Sequence, residues 1–211
     1  LLHNGRFEQA VAAGLAAGEA GATVANKASC IYASYVEQRE PVRLELLRQA
    51  AQRGEAQAAR EPRNPNAWYW QAYALGRYSQ GISVAKALAQ GIGARVKAAL
   101  EQTVTLQPAH ADGHLALASF HAEVIDKVGE LIGGMTYGAR RTVGLDHYER
   151  AVSLVPDSPV FLYEQASGLL KLDGDGAQER SMRLLEAAGQ REPADAMERL
   201  YVCLARADLD A

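Results

Sequence analysis

The sequence predicts an all-α fold of stacked helical hairpins, and three observations predict it. Pro62, Pro108, Pro156 and Pro193 each close an amphipathic stretch, as expected of a residue that removes a donor and clashes with the preceding turn. A fresh helical pattern restarts within a few residues of three of them, at Asn66, Asp112 and Ser158. No alternation of strand period persists. The apolar residues, 48% of the chain, are mostly Ala and Leu, with only 3 Phe and 2 Trp. That composition suits helices that approach one another closely.

In chain order, residues 5–17 and 22–38 read as helices, followed by a longer one over 41–61 with Pro41 near its start. These form a terminal helix pair and a cap. The next hairpins begin at Asn66-Ala67-Trp68, Asp112-Gly113-His114 and Ser158-Pro159-Val160. Asp112 and Ser158 are expected N-caps, and Pro159 sits at the first helical position, where its missing N–H costs nothing. Asp173-Gly174-Asp175-Gly176 reads as the turn inside the last hairpin, since no ligating Glu follows at calcium-loop distance.

The hairpins repeat. Tyr148, Ala151 and Pro156 match the end of a tetratricopeptide second helix: an aromatic, Ala three residues on, and Pro five after that. Leu100, Thr103 and Pro108 copy the pattern, as do Leu185, Ala188 and Pro193. First helices align on Ala72, Ala118 and Ala166, the small position where two helices touch, and Trp68 takes the aromatic core position before Ala72. The prolines are separated by 46, 48 and 37 residues, against about 34 for a plain repeat. The first two units therefore carry insertions, at 79–93 and 128–141. The whole reads as a single α-helical repeat domain over 1–211, with about four to five degenerate repeats forming a right-handed superhelix.

Two segments carry a closer resemblance: Asn66-Ala67-Trp68-Tyr69-Trp70-Gln71-Ala72-Tyr73-Ala74-Leu75-Gly76-Arg77, and His110 to Val124 followed by Gly133-Gly134. Over about residues 40 to 175, insertions included, the chain resembles the T component of tripartite ATP-independent periplasmic transporters and the related regulator-of-microtubule-dynamics repeats. The resemblance implies a periplasmic or envelope-associated protein that self-associates. It also implies binding of a small organic or hydrophobic ligand, or of a solute-binding partner. A cytoplasmic location is the alternative.

Composition excludes several classes. The net charge is -3, from 22 basic and 25 acidic residues, so no basic surface invites nucleic acid. No apolar run reaches the roughly 18 residues of a membrane span. The chain begins at Leu1, which reads as a trimmed product. Cys30 and Cys203 form no metal or redox motif and are expected as two buried free thiols.

Four groups of candidate site residues follow. Tyr69, Trp70 and Tyr73 form an aromatic patch that either anchors a ligand or packs between repeats. His110, His114 and His121 have spacing that could share a helix face, but the core residues between them favour partly buried side chains bonded to neighbouring helices; no metal is expected. Tyr137, Arg140 and Arg141 end the second insertion. Two Arg residues at a helix N-terminus oppose the helix dipole, so they either hold an anion or pair with an acid such as Glu130. Gly91 to Arg95 is a weaker echo. No nucleophile elbow, zinc-protease motif or phosphate loop occurs, so neither catalytic residues nor a cofactor are expected. The expectation is a non-enzymatic binding scaffold for a protein partner, a small organic ligand or both; the alternative is an assembly subunit that binds no small ligand.

Overall fold

The side chains of Asn64, Ser83, His110 and Asp195 cap helix N-termini, and Pro41, Pro65 and Pro159 sit in the first turns of helices. A computed structural model describes residues 1–210, and among these there is no strand. The helices fall into two compact units, Leu1–Pro108 and Ala109–Ala211.

The first unit holds α1 (Phe7–Ala16), α2 (Ala22–Tyr35), α3 (Glu40–Arg60), α4 (Pro65–Gln80), the short α5 (Val84–Ala89) and α6 (Ile92–Leu106). Helix α2 packs on α1, α3 and α4, and α4 packs on α3 and α6. Contact with the next helix and the next but one is the pattern of stacked hairpins. Asn64 caps α4, its side chain accepting from the Asn66 amide at 3.0 Å, and Ser83 caps α5 in the same way. The α3–α4 approach depends on Gly54. A Cβ there would lie 2.8 Å from Gln71 Cα and 2.9 Å from its amide nitrogen.

The second unit holds α7 (Ala111–Val128), α8 (Glu130–Tyr137), α9 (Arg141–Leu154), α10 (Pro159–Asp173), α11 (Gln178–Gly189) and α12 (Ala196–Leu209). Helix α7 packs on α8, α9 and α10, and α10 on α9, α11 and α12. The cap of α7 differs from the sequence expectation. The helix starts at Ala111, so His110 takes the cap position and its Nδ1 accepts from the Gly113 amide at 3.0 Å. Asp112 falls in the first turn, where its charge still meets the helix dipole. Ser158 does precede α10, but its hydroxyl reaches Glu198 and not the helix amides.

The repeat positions form the core. Ala72, Ala118 and Ala166 are at most 1% exposed, and Leu100, Thr103, Tyr148, Ala151, Leu185 and Ala188 are all buried. Both insertions fold into helices, α5 and α8. Glycines in the left-handed region turn the chain around α8: Gly129 at φ 79° and Gly138 at φ 65°. Cys30 is buried as expected, whereas Cys203 is exposed, because α12 buries Tyr201, Val202 and Ala205 on its opposite face.

Candidate functional site

In the first unit, α4 projects an aromatic column. The Trp70 ring lies 4.8 Å from Tyr69 and 5.4 Å from Tyr73, in edge-on and tilted arrangements that suit ring quadrupoles. Tyr69 and Trp70 are each 6% exposed, so both pack. Tyr73 is half-buried, and its hydroxyl is buried without a partner. One turn on, the Arg77 guanidinium lies 5.3 Å from the centre of the Tyr73 ring and 5.6 Å from that of Tyr35, and it donates to the Tyr35 hydroxyl at 2.9 Å. Trp68 takes a shallower place than its repeat position suggests: it is half-buried, and its Nε1 donates to the Pro62 carbonyl at 3.1 Å.

Beside this column lies a polar seam that sequence reasoning missed. Arg53 on α3 donates from Nε to Asn26 Oδ1 at 3.0 Å and from Nη2 to Ser29 Oγ at 2.8 Å, both on α2. Gln57, one turn on, donates to Thr23 Oγ1 at 2.9 Å. Burial lowers the Arg53 pKa, the direction expected of a cation withdrawn from water. Burial likewise pushes the Cys30 thiol up to about 12, against the opposing fields of Arg53 and Arg77.

In the second unit the histidines meet a residue that the sequence did not single out. His147 on α9 faces His114, Nδ1 to Nδ1 at 2.9 Å, one donating and the other accepting. It also stacks on His121 at 6.4 Å and 10°. His114 and His147 are 33 residues apart in sequence, too far to give a local signal of pairing. His121, 2% exposed, accepts the Arg140 amide on Nδ1 at 3.1 Å, so it ties the second insertion to α7. Burial lowers the His110 pKa, and Asp112 opposes the shift. Among the described residues, no group of three or more His, Cys, Asp or Glu could hold a metal.

The end of the second insertion is braced in several ways. Tyr137 packs edge-on against Phe120 at 6.5 Å. Arg141 forms an ion pair with Asp173, while its amide donates to Glu130 Oε1 at 3.2 Å. The Arg140 side chain is exposed. Helix α8 leaves Leu131, Ile132 and Met135 exposed at 78%, 58% and 83%. A separate open hollow of about 540 Å³ lies among α10, α11 and α12, lined by Leu170, Gln178, Met182, Leu185 and Asp208.

No protein-family model matches the sequence, and no curated protein matches it. Among solved structures, the crystal structure of a thermophilic TPR protein from Thermus thermophilus is similar, with a TM-score of 0.67 at 16% identity. The match covers 96% of this chain and 92% of that one. The fold is a tetratricopeptide-like helical repeat.

In tetratricopeptide terms, the first unit pairs α2 with α3 and α4 with α6, and the second pairs α7 with α9 and α10 with α11. Helices α5 and α8 are thus insertions between the paired helices of two repeats. Tyr73 and Arg77 lie on a first helix of a repeat, as do His114 and His121. Arg53 reaches across from a second helix. No helix among the described residues is long and apolar enough to cross a membrane.

Proposed function

We propose that this chain is a non-enzymatic binding scaffold whose recognition surface in the first unit is the face carrying Tyr73 and Arg77. The observation that supports it is Tyr73. Its ring is stacked by Arg77 and backed by Trp70, yet its hydroxyl has no partner. A buried hydroxyl without a hydrogen bond costs roughly 1–3 kcal/mol, a cost that a bound group would remove. The finer reading follows the resemblance. The ligand is a small organic or hydrophobic molecule, or a solute-binding partner of a tripartite transporter, and the chain works at the periplasmic side of the envelope.

Native mass spectrometry of the protein as purified, and of Tyr73→Ala, tests this reading. A small molecule retained by the wild type and lost in the variant, with helical circular dichroism unchanged, is the expected result. The same molecule retained by Tyr73→Ala would move the binding surface elsewhere.

A second reading, assembly without a small ligand, is favoured by one observation, the exposed Leu131, Ile132 and Met135 on α8. Light scattering separates the two. An oligomer that dissociates when Ile132 and Met135 become Lys, with no retained molecule, supports assembly.

A further inference from the structure

We infer that the seam between α2, α3 and α4 is a carboxylate-binding site, centred on Arg53 and Arg77, for a small organic acid. This rests on the reading that the Tyr73 face binds a ligand, and it names that ligand's chemistry.

Among the described residues, no carboxylate pairs with Arg53. Both of its hydrogen-bond acceptors, Asn26 Oδ1 and Ser29 Oγ, are neutral, and these side chains are at most 1% exposed. Other arginines of the same unit, more exposed, do meet carboxylates: Arg39 with Glu37, Arg48 with Glu45, Arg60 with Glu19 and Arg95 with Glu55. Cys30, beside Ser29 on α2 and fully buried, is kept protonated by that burial, so it brings no counter-charge to Arg53. Taking a cation partly out of water without a counter-charge is unfavourable, and a bound anion reverses that penalty.

The neighbouring polar atoms point the same way. Asn26 is fully buried, and its Nδ2 donates to nothing. That nitrogen shares an amide with the oxygen holding Arg53, so it lies at the guanidinium. The Tyr73 hydroxyl, beneath Arg77, is a second unused donor. Gln71, 6% exposed, has an unpartnered carbonyl oxygen, and a half-turn of its amide presents N–H instead. Its backbone packs on Gly54, the residue that follows Arg53 in the chain.

Positions along α2 set the scale. Arg53 meets Asn26 and Ser29, and Arg77 meets Tyr35. Six residues separate Ser29 from Tyr35, about 9 Å of helix rise, with Cys30 between. Planar guanidinium forks match the two oxygens of a carboxylate. The Tyr35 and Tyr73 rings supply an apolar wall for the body of the acid. A singly charged carboxylate is also cheaper to desolvate there than a phosphate dianion.

The test uses the full chain and four probes: benzoate, acetate, the neutral isostere benzamide, and inorganic phosphate. Arginine side-chain Nε–H resonances are followed by NMR. Benzoate should shift the Arg53 and Arg77 signals saturably, and acetate should shift the same signals at higher concentration. Benzamide and phosphate should bind at least about tenfold more weakly, the value of one charge-assisted hydrogen bond. In the wild type, benzoate binding should fall as the probe itself is protonated near pH 4. Arg53→Gln should weaken benzoate at least about tenfold with helical circular dichroism unchanged. Equal affinity for benzamide, phosphate binding as tight as benzoate, or unchanged benzoate affinity in folded Arg53→Gln would each overturn the inference. Benzamide bound at Tyr73 without benzoate selectivity would sink the carboxylate assignment yet leave the binding face intact. Absence of any shift at Arg53 and Arg77 with every probe would sink the carboxylate assignment, while the Tyr73→Ala mass-spectrometry result decides the binding face separately.

Discussion

Two glycine-to-alanine changes in the first unit should have opposite signs, although their local chemistry is the same. Gly54 lies inside α3 and Gly76 inside α4. Alanine gains about 1 kcal/mol over glycine in a helix interior at either site. At Gly76 the added Cβ meets nothing within 4 Å, so Gly76→Ala should stabilise by roughly 0.5–1 kcal/mol. At Gly54 it would stand 2.8 Å from Gln71 Cα and 2.9 Å from the Gln71 nitrogen. Both are backbone atoms, so relief requires α3 and α4 to separate, at about 1–3 kcal/mol for overpacking. The propensity gain cancels between the variants, leaving Gly54→Ala less stable than Gly76→Ala by about 1–3 kcal/mol. With a urea slope of about 1–3 kcal/mol per molar, the unfolding midpoints, read by circular dichroism, should lie on the order of 1 M apart. A Gly54→Ala midpoint at or above that of Gly76→Ala would refute the close-approach account of the α3–α4 contact.

Three further outcomes are expected. Trp70→Ala should cost about 3–5 kcal/mol in chemical denaturation, as a buried aromatic does, and Tyr73→Ala clearly less; equal losses would contradict their difference in burial. The Glu37 carboxyl, held by the Arg39 side chain and amide, is lowered from 4.5 to about 2. A depressed folded pKa gives stability that is full above the unfolded value and is lost as pH falls through about 2. The advantage of wild type over Glu37→Gln should therefore shrink across that acid window, and a pH-independent gap would count against the Arg39 contacts as its source. Ile132→Lys and Met135→Lys, on the exposed face of α8, should each change unfolding stability by less than about 0.5 kcal/mol; a loss of about 2 kcal/mol or more would mean that the face is packed.

Much of the repeat was legible in the sequence because it rests on local rules. Proline is not tolerated inside a helix beyond its first turn, so the ends before Pro62, Pro108, Pro156 and Pro193 follow from one residue type. Small and large positions at fixed offsets located Ala72, Ala118, Ala166 and Tyr148, all of them buried. The candidate residues were less legible. Tyr69, Trp70 and Tyr73 lie within five residues on one amphipathic helix, and that the first two pack while Tyr73 stays half-buried depends on where the neighbouring helices lie. His147 and Arg53 stand alone in sequence, and neither forms a motif. Their partners, His114 for one and Asn26 with Ser29 for the other, come from different helices.

By itself, then, the sequence determined an all-α tetratricopeptide-like array with two insertions, because helix periodicity, proline and small-residue spacing act over a few residues of chain. Only the tertiary structure decided which charges pair with a carboxylate. It ties Arg141 to Asp173 and leaves Arg53 with two neutral acceptors. Whether a charge is compensated depends on what other helices bring within a few ångströms, and Coulomb energies and desolvation are set by that distance and burial, not by position in the chain.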